Sequence, residues 1–304
     1  MNNDKFYELL NDKFTNIKFE KCVSMKEHTY FKIGGPADIV AYPNSIEEIQ
    51  SLIKFCNENN IDFFVLGNGT NLLIRDKGIR GLVIKIDDNL SDIKVDGNKI
   101  IVQAGAKVSR VAKVALKHSL TGLEGASGIP GSIGGGVTMN AGAYGTELKD
   151  VITNVKCVDE HGDIKNYSKE EMHFGYRHSR VHEQKLIVVE VEMVFEKGEY
   201  DKIKAAMDDY TERRNTKQPL ELPSAGSTFK RPTGDYAGRL IDVSGLRGIR
   251  YKDAQVSEKH CGFVVNRGNA TCEDILNLIK IVQKTVKDKH GILLEREVLI
   301  VGEE

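Results

Sequence analysis

The chain lacks the cysteine spacings that mark the common covalent and metal scaffolds. Its five cysteines (Cys22, Cys56, Cys157, Cys261 and Cys272) are odd in number, far apart and contain no C-x-x-C. Neither a disulfide framework nor a zinc ribbon is implied, and a reducing compartment fits. Long apolar runs are missing too: nothing approaches the roughly 18 continuous apolar residues of a membrane span, and the opening MNNDKFYELL has no signal-peptide character. A cytoplasmic protein with no membrane insertion is expected. Nor is there an excess of charge of one sign. Lys+Arg at 43 against Asp+Glu at 44 leave a net charge of -1, which gives no pull toward nucleic acid or anionic lipid, so an anionic ligand must be held by a local site. Two nucleotide signatures are absent, G-x-G-x-x-G and G-x-x-x-x-G-K-[ST], which removes the usual dinucleotide fold and the NTPase phosphate loop. Repeats, low-complexity tracts and long linkers are missing as well.

What is present is enough apolar residue, 40% of 304, for two or three domains of ordinary size. Ser45 and Glu48 form a capping box ahead of Ile46, Ile49, Leu52, Ile53 and Cys56, so a helix near 46–58 is expected. Strand-like runs follow at IDFFVLG (61–67), LLIRD and GLVIKI. IKVDGNKIIVQAG reads as a hairpin around Asp96-Gly97, and Val108, Val111, Ala112, Ala115 and Leu116 form a helical stripe. VVEVEMVF alternates, with Val189, Val191, Met193 and Phe195 on one face and Glu190 and Glu192 on the other. A polar helix runs from 199 to about 214. Thr271 and Asp274 cap a helix carrying Ile275, Leu278, Ile279, Val282 and Val286, ended by Gly291. ILLEREVLIVG closes the chain as a strand with Glu295 and Glu297 on one face and Arg296 on the other.

Two glycine-rich loops carry the functional signal. Gly67-Asn68-Gly69-Thr70-Asn71 directly follows an apolar strand, where glycines let the backbone bend and turn N–H groups toward an anion. By composition alone such a turn is equally an ordinary connection. Gly128-Ile129-Pro130-Gly131-Ser132-Ile133-Gly134-Gly135-Gly136 continues into Met139-Asn140-Ala141-Gly142-Ala143-Tyr144-Gly145. That density of glycine is costly in chain entropy for a plain connection and points to close approach of backbone to a ligand, with a sharply bent buried crossing as the blander reading.

LGNGTNLLI and GIPGSIGGGVTMNAGAYG resemble the two diphosphate-binding loops of the vanillyl-alcohol-oxidase-like FAD-binding fold. From HTYFKIGGPAD at residue 28 to LEREV at 297 the chain is similar to the UDP-N-acetylenolpyruvoylglucosamine reductase family, in its second subclass, which lacks a long tyrosine-bearing loop. The resemblance implies an α+β fold: FAD-binding subdomains over 1–88 and 89–197, and an α+β substrate-binding domain over 198–304. It implies noncovalent FAD, contacted by Gly67, Asn68, Gly69, Thr70, Asn71, Leu72, Gly128, Pro130, Gly131, Ser132, Gly134, Gly135, Asn140, Ala141, Gly142 and Tyr144. NADPH is the implied electron donor, and UDP-N-acetylenolpyruvoylglucosamine the implied substrate, with no obligate protein partner.

The implied reaction reduces an enol ether conjugated to a carboxylate, so the site must stabilise charge pushed into that carboxylate and protonate the adjacent carbon. Arg177 in FGYRHSR matches the family arginine at the substrate carboxylate, Ser227 in AGSTFK the proton donor, and Glu297 a C-terminal glutamate acting beside the arginine. Periodicity does not choose between Glu295 and Glu297; the family spacing selects Glu297. Lys217, His260 and Arg231 match positions near substrate, Arg231 standing where another branch has Asn. Apart from the resemblance, each also has a plainer reading as a solvated cation, a cap or a packed histidine. His173, His178 and His182 invite a metal site, set aside because no Asp, Glu or Cys partner stands at ligand spacing. Two other functions remain to be weighed: an FAD-binding electron-transfer subunit of a molybdenum hydroxylase, against which AGSTFK and LEREV argue, and a noncatalytic UDP-sugar sensor, against which Arg177, Ser227 and Glu297 argue.

Overall fold

Ser45 opens a helix that spans Ile46–Glu58 in the computed structural model, which describes residues 3–304. The serine side chain accepts the Glu48 N–H at 3.2 Å, as the capping pattern predicts. The reciprocal half reaches one residue further back: the Glu48 carboxylate accepts from the Asn44 N–H at 2.6 Å. Ile49, Leu52, Ile53, Phe55 and Cys56 face inward.

The chain forms two compact units. The first comprises the residues up to Lys21, Ile39–Asn68 and Gly81–Arg214; the second comprises Cys22–Asp38, Gly69–Arg80 and Asn215–Glu304. The chain passes between them within the strands Lys18–Ser24, Pro36–Tyr42 and Ile79–Lys85, within the first glycine loop, and within the helix Tyr200–Lys217.

In the first unit the strand Phe63–Leu66 lies parallel to the end of Ile79–Lys85, pairing Phe63 with Leu82 and Leu66 with Lys85. A five-stranded antiparallel sheet runs in the order Ile164–Ser168, Ile152–Val158, Ile187–Val194, Lys99–Gln103, Ile93–Asp96. Its hairpin pairs Asp96 with Lys99. Asp96 is thus the last paired residue and the bend is Gly97-Asn98, one position later than the Asp-Gly signal, with Gly97 at φ +62°. Val189, Val191, Met193 and Phe195 are buried, while Glu190 and Glu192 lie half-exposed on the other face and pair with Lys156 and Lys99. The helix Val108–Lys117 buries Val108, Val111, Ala112 and Ala115 against this core.

The second unit packs around the helix Cys272–His290. Thr271 and Asp274 form its capping box and Gly291 ends it in the left-handed region at φ +71°. Ile275, Leu278, Ile279, Val282 and Val286 share a core with Phe31, Ile33, Leu73, Leu240 and Val264. Each fully buried aliphatic side chain contributes about 1.5–3 kcal/mol. The C-terminal run is less regular than an unbroken strand: Arg296 bridges Phe229, and only Leu299–Val301 forms a strand, parallel to Leu72–Ile74.

Candidate active site

In the first unit the two glycine loops meet. Gly67 follows the strand Phe63–Leu66, and a Cβ there would stand 2.5 Å from the Ser132 Oγ, so a larger residue would have to push that hydroxyl aside. Ser132 caps the short helix Ile133–Thr138 through the Gly135 N–H at 3.4 Å. The Asn68 Nδ2 donates to the Pro130 carbonyl at 2.9 Å, tying one loop to the other. Lys85, buried at the end of its strand, donates from Nζ to the Gly67 carbonyl. A cavity of about 400 Å³ opens beside both loops, lined by Gly67, Ser132, Gly134 and Gly135 with Val65 and Ile187. A Cβ on Gly134 would meet the Ala104 Cβ at 3.0 Å, whereas one on Gly135 would have only the Ser132 Oγ near, at 3.5 Å. Glycine at 134 therefore answers to protein packing, and glycine at 135 keeps the cavity wall bare. Among the described residues no protein acceptor takes the N–H of Asn68, Gly131 or Ser132. Paired bends with free amide donors beside an apolar cavity fit a dinucleotide cofactor such as FAD: the diphosphate at Asn68, Gly131 and Ser132, and an aromatic portion in the cavity.

The rest of the second loop holds the neighbourhood of Arg177. Asn140 is fully buried at φ +40°; its Nδ2 donates to the Gly175 carbonyl at 2.9 Å and to Glu147 at 3.2 Å, and its Oδ1 accepts the Lys149 N–H at 3.1 Å. Gly175 and His178 exchange backbone hydrogen bonds, making Tyr176-Arg177 the tip of a tight turn with Arg177 at φ +54°. A non-glycine residue held there is strained, which is common at functional positions. The guanidinium lies 5.0 Å from the centre of the Tyr176 ring and donates to the Gly142 carbonyl at 3.3 Å. The Ala141 N–H goes to Gly136 at 2.7 Å. Tyr144 stacks on Tyr210 at 4.8 Å, and a Cβ on Gly128 would touch the Arg214 side chain at 3.0 Å.

The border between the units falls inside the first loop, and Gly69, Thr70, Asn71 and Leu72 belong to the second unit. Gly69, at φ +62°, packs so closely on the His28 carbonyl that a Cβ would stand 2.1 Å from it. The Asn71 Nδ2 donates to the Glu297 carbonyl at 3.2 Å, and the Leu299 N–H to the Asn71 carbonyl at 3.0 Å. Leu72 opens the strand that pairs with Leu299–Val301. The segment from Ser227 lies between two others: the Thr228 N–H donates to Gly262 and the Glu297 N–H to Thr228, each at 2.9 Å. Ser227 is exposed and Glu297 half-buried on these adjoining segments. Gly226, at φ +74°, supplies the bend before Ser227. Glu295 is turned outward and bonds Lys230 at 3.3 Å.

His260 accepts the Gly262 N–H on Nδ1 at 3.1 Å, packs edge-on to Phe263, and is pushed below the ordinary histidine range, chiefly by burial. Lys217 ends its helix exposed, and Arg231 lies over the Tyr236 ring at 4.1 Å. One premise of the sequence reading is corrected. His173 and His178 do have an acidic partner, because the Glu183 carboxylate bonds both at 2.9 Å and is held below the usual carboxylate range by His178 and then His173. Among the described residues no cluster of three or more metal-ligating side chains forms. Sequence reasoning missed Lys85; its signal was a lysine inside the apolar run LVIKI.

An α+β flavoprotein, with an FAD-binding portion ahead of a C-terminal portion, is the class that this fold and these loops define. Residues 37–168 match an FAD binding domain, and residues 218–301 match the C-terminal domain of UDP-N-acetylenolpyruvoylglucosamine reductase. The chain is 52% identical to the UDP-N-acetylenolpyruvoylglucosamine reductase of Caldanaerobacter subterraneus subsp. tengcongensis, over 97% of this chain and 99% of that one. It is 46% identical to that of Clostridioides difficile over the full length of both. The crystal structure of UDP-N-acetylenolpyruvylglucosamine reductase from Thermus caldophilus, 33% identical, superimposes with a TM-score of 0.81 over 93% of this chain and 99% of that one. The chain belongs to the UDP-N-acetylenolpyruvoylglucosamine reductase family. No described helix is long and apolar enough to cross a membrane.

Proposed function

We infer that this chain reduces the enolpyruvyl group of UDP-N-acetylenolpyruvoylglucosamine to give UDP-N-acetylmuramate for peptidoglycan precursors, in the cytoplasm and without an obligate protein partner. NADPH is the reductant. FAD, held by the two glycine loops, would supply the two-electron chemistry that links NADPH to the enolpyruvyl double bond. The full-length likeness to reductases of this name leaves no support for a molybdenum-hydroxylase subunit.

The residues of this chain have separable tasks. The planar guanidinium of Arg177 receives the substrate carboxylate, where two parallel N–H donors match the charge that builds as hydride arrives. Ser227 delivers the proton to the neighbouring carbon from its hydroxyl, and a hydrogen-bonded partner or water restores it. Glu297 stands by the developing enolate. Lys217, His260 and Arg231 serve the UDP-sugar. FAD is noncovalent and contacts the glycine loops, in subdomains bounded near residues 88 and 197.

The observation that carries this reading is the register of the second unit. Exposed Ser227 and half-buried Glu297 lie on hydrogen-bonded neighbouring segments, and Glu297 is bonded through its carbonyl to Asn71 of a glycine loop. The test separates the two half-reactions. Ser227→Ala should bleach its flavin with NADPH at the normal rate, yet reoxidise with the enolpyruvyl substrate about 100- to 10,000-fold more slowly. Unchanged turnover in that variant removes Ser227 as proton donor, and a purified chain without flavin absorbance removes the whole reading.

A further inference from the structure

Lys85 is only 8% exposed, and burial in the first unit lowers its pKa below that of an ordinary lysine. An ammonium so placed is costly to take out of water. Its Nζ donates to the carbonyl oxygen of Gly67. Asp87 and Asp88 act favourably on its charge, Lys107 unfavourably.

That contact has a geometric consequence. In a planar trans peptide the C=O of residue 67 and the N–H of residue 68 point in opposite directions. Drawing the Gly67 oxygen toward Lys85 therefore turns the Asn68 N–H to the other side. Two further contacts lock the same peptide: the Asn68 carboxamide is fastened to the Pro130 carbonyl at 2.9 Å, and Gly67 lies so near Ser132 that a Cβ would stand 2.5 Å from its Oγ. Among the described residues the Asn68 N–H has no protein acceptor, so the three contacts orient a donor for something outside the protein.

We propose that Lys85 is a positioning residue for the flavin diphosphate: it fixes the peptide between Gly67 and Asn68 so that the N–H meets a phosphate oxygen, and it sets a buried positive charge behind the loop. The inference rests on the reading that FAD binds at this loop. It assigns to a lysine within a strand, outside both glycine motifs, a share of cofactor affinity.

The test compares FAD affinity with the stability of the FAD-free chain. Lys85→Met keeps the length of the side chain and removes donor and charge. Titrating the stripped full-length protein with FAD, followed by flavin fluorescence, should give a Kd raised about 10- to 100-fold, the worth of a lost hydrogen bond to a charged group. The stripped variant should melt close to the stripped parent, because relief of the buried charge offsets the Gly67 carbonyl left without its donor. Unchanged FAD affinity overturns the proposal. So does a loss of affinity matched by equal destabilisation of the stripped chain, which marks Lys85 as structural support alone. Should Lys85→Met not fold, Lys85→Gln is judged by the same two measurements. An unaltered chain that takes up no FAD overturns the loop reading itself, whatever Lys85 does.

Discussion

Asn140 illustrates what a single residue hides. Its place in MNAGAYG marks it for the cofactor by resemblance, yet its buried carboxamide is spent on Gly175, Glu147 and Lys149. What it holds is the turn bearing Arg177, thirty-odd residues onward, a partnership that no local pattern encodes. His260 hides in the same way, since only the fold reveals its burial, and it gives a pH prediction. Burial lowers its pKa from 6.5, so folding favours the neutral ring. Below that pH the unfolded chain binds a proton that the folded chain resists, and stability rises with pH wherever the unfolded state binds more protons. This contribution is complete above about pH 6.5 and is lost as pH falls toward the lower folded value. Urea melts at pH 7 and pH 5 should show a smaller fall in stability for His260→Gln than for the parent. Equal falls would show that the ring does not cost the fold its proton.

Among elements, legibility followed locality. The helix Cys272–His290 was readable because stripe, cap and stop lie within one segment, Ile46–Glu58 from its cap and stripe, and Val108–Lys117 from its stripe alone, since Lys107 gives it no side-chain cap. The C-terminal run was readable only in part. Its hydrogen-bond partners, Phe229 and the strand Leu72–Ile74, lie tens to hundreds of residues away, and each bonds a different stretch of it. Asp76 is the same lesson at a helix start. Its carboxylate accepts the N–H groups of Cys272 and Glu273 at 2.9 and 3.2 Å, adding a cap from 196 residues earlier to the local capping box. The local stop can be tested without packing to confuse it. A Cβ on Gly291 would meet nothing within 4 Å, and the residue sits at φ +71°, so Gly291→Ala carries a backbone penalty alone, about 1 kcal/mol. Gly291→Asn should cost less, because Asn tolerates that region. Chemical denaturation that ranks Asn below Ala would remove the left-handed stop as the explanation.

At the scale of the molecule the chain is woven. A domain border read from sequence is one cut, whereas the second unit draws on three stretches, Cys22–Asp38, Gly69–Arg80 and Asn215–Glu304. Composition changes along the chain show where a new layer begins, but not that an early strand returns to serve a late core. The core of the second unit makes this concrete: Phe31, Ile33 and Leu73, all but fully buried, pack with Leu240, Ile275 and Val282. The matched C-terminal domain, 218–301, contains none of the first three. Emptying a core of such side chains costs about 2–5 kcal/mol each, against a total stability of about 5–15 kcal/mol for a domain. Residues 215–304 expressed alone should therefore lack a fixed tertiary structure, with poorly dispersed amide resonances and no cooperative melt. Supplying peptides 22–38 and 69–80 in trans should restore dispersion, since they return Phe31, Ile33 and Leu73 together with the strand that pairs with Leu299–Val301. A sharp native spectrum from 215–304 by itself would show that the late segment holds its own core and that the early segments are accessories.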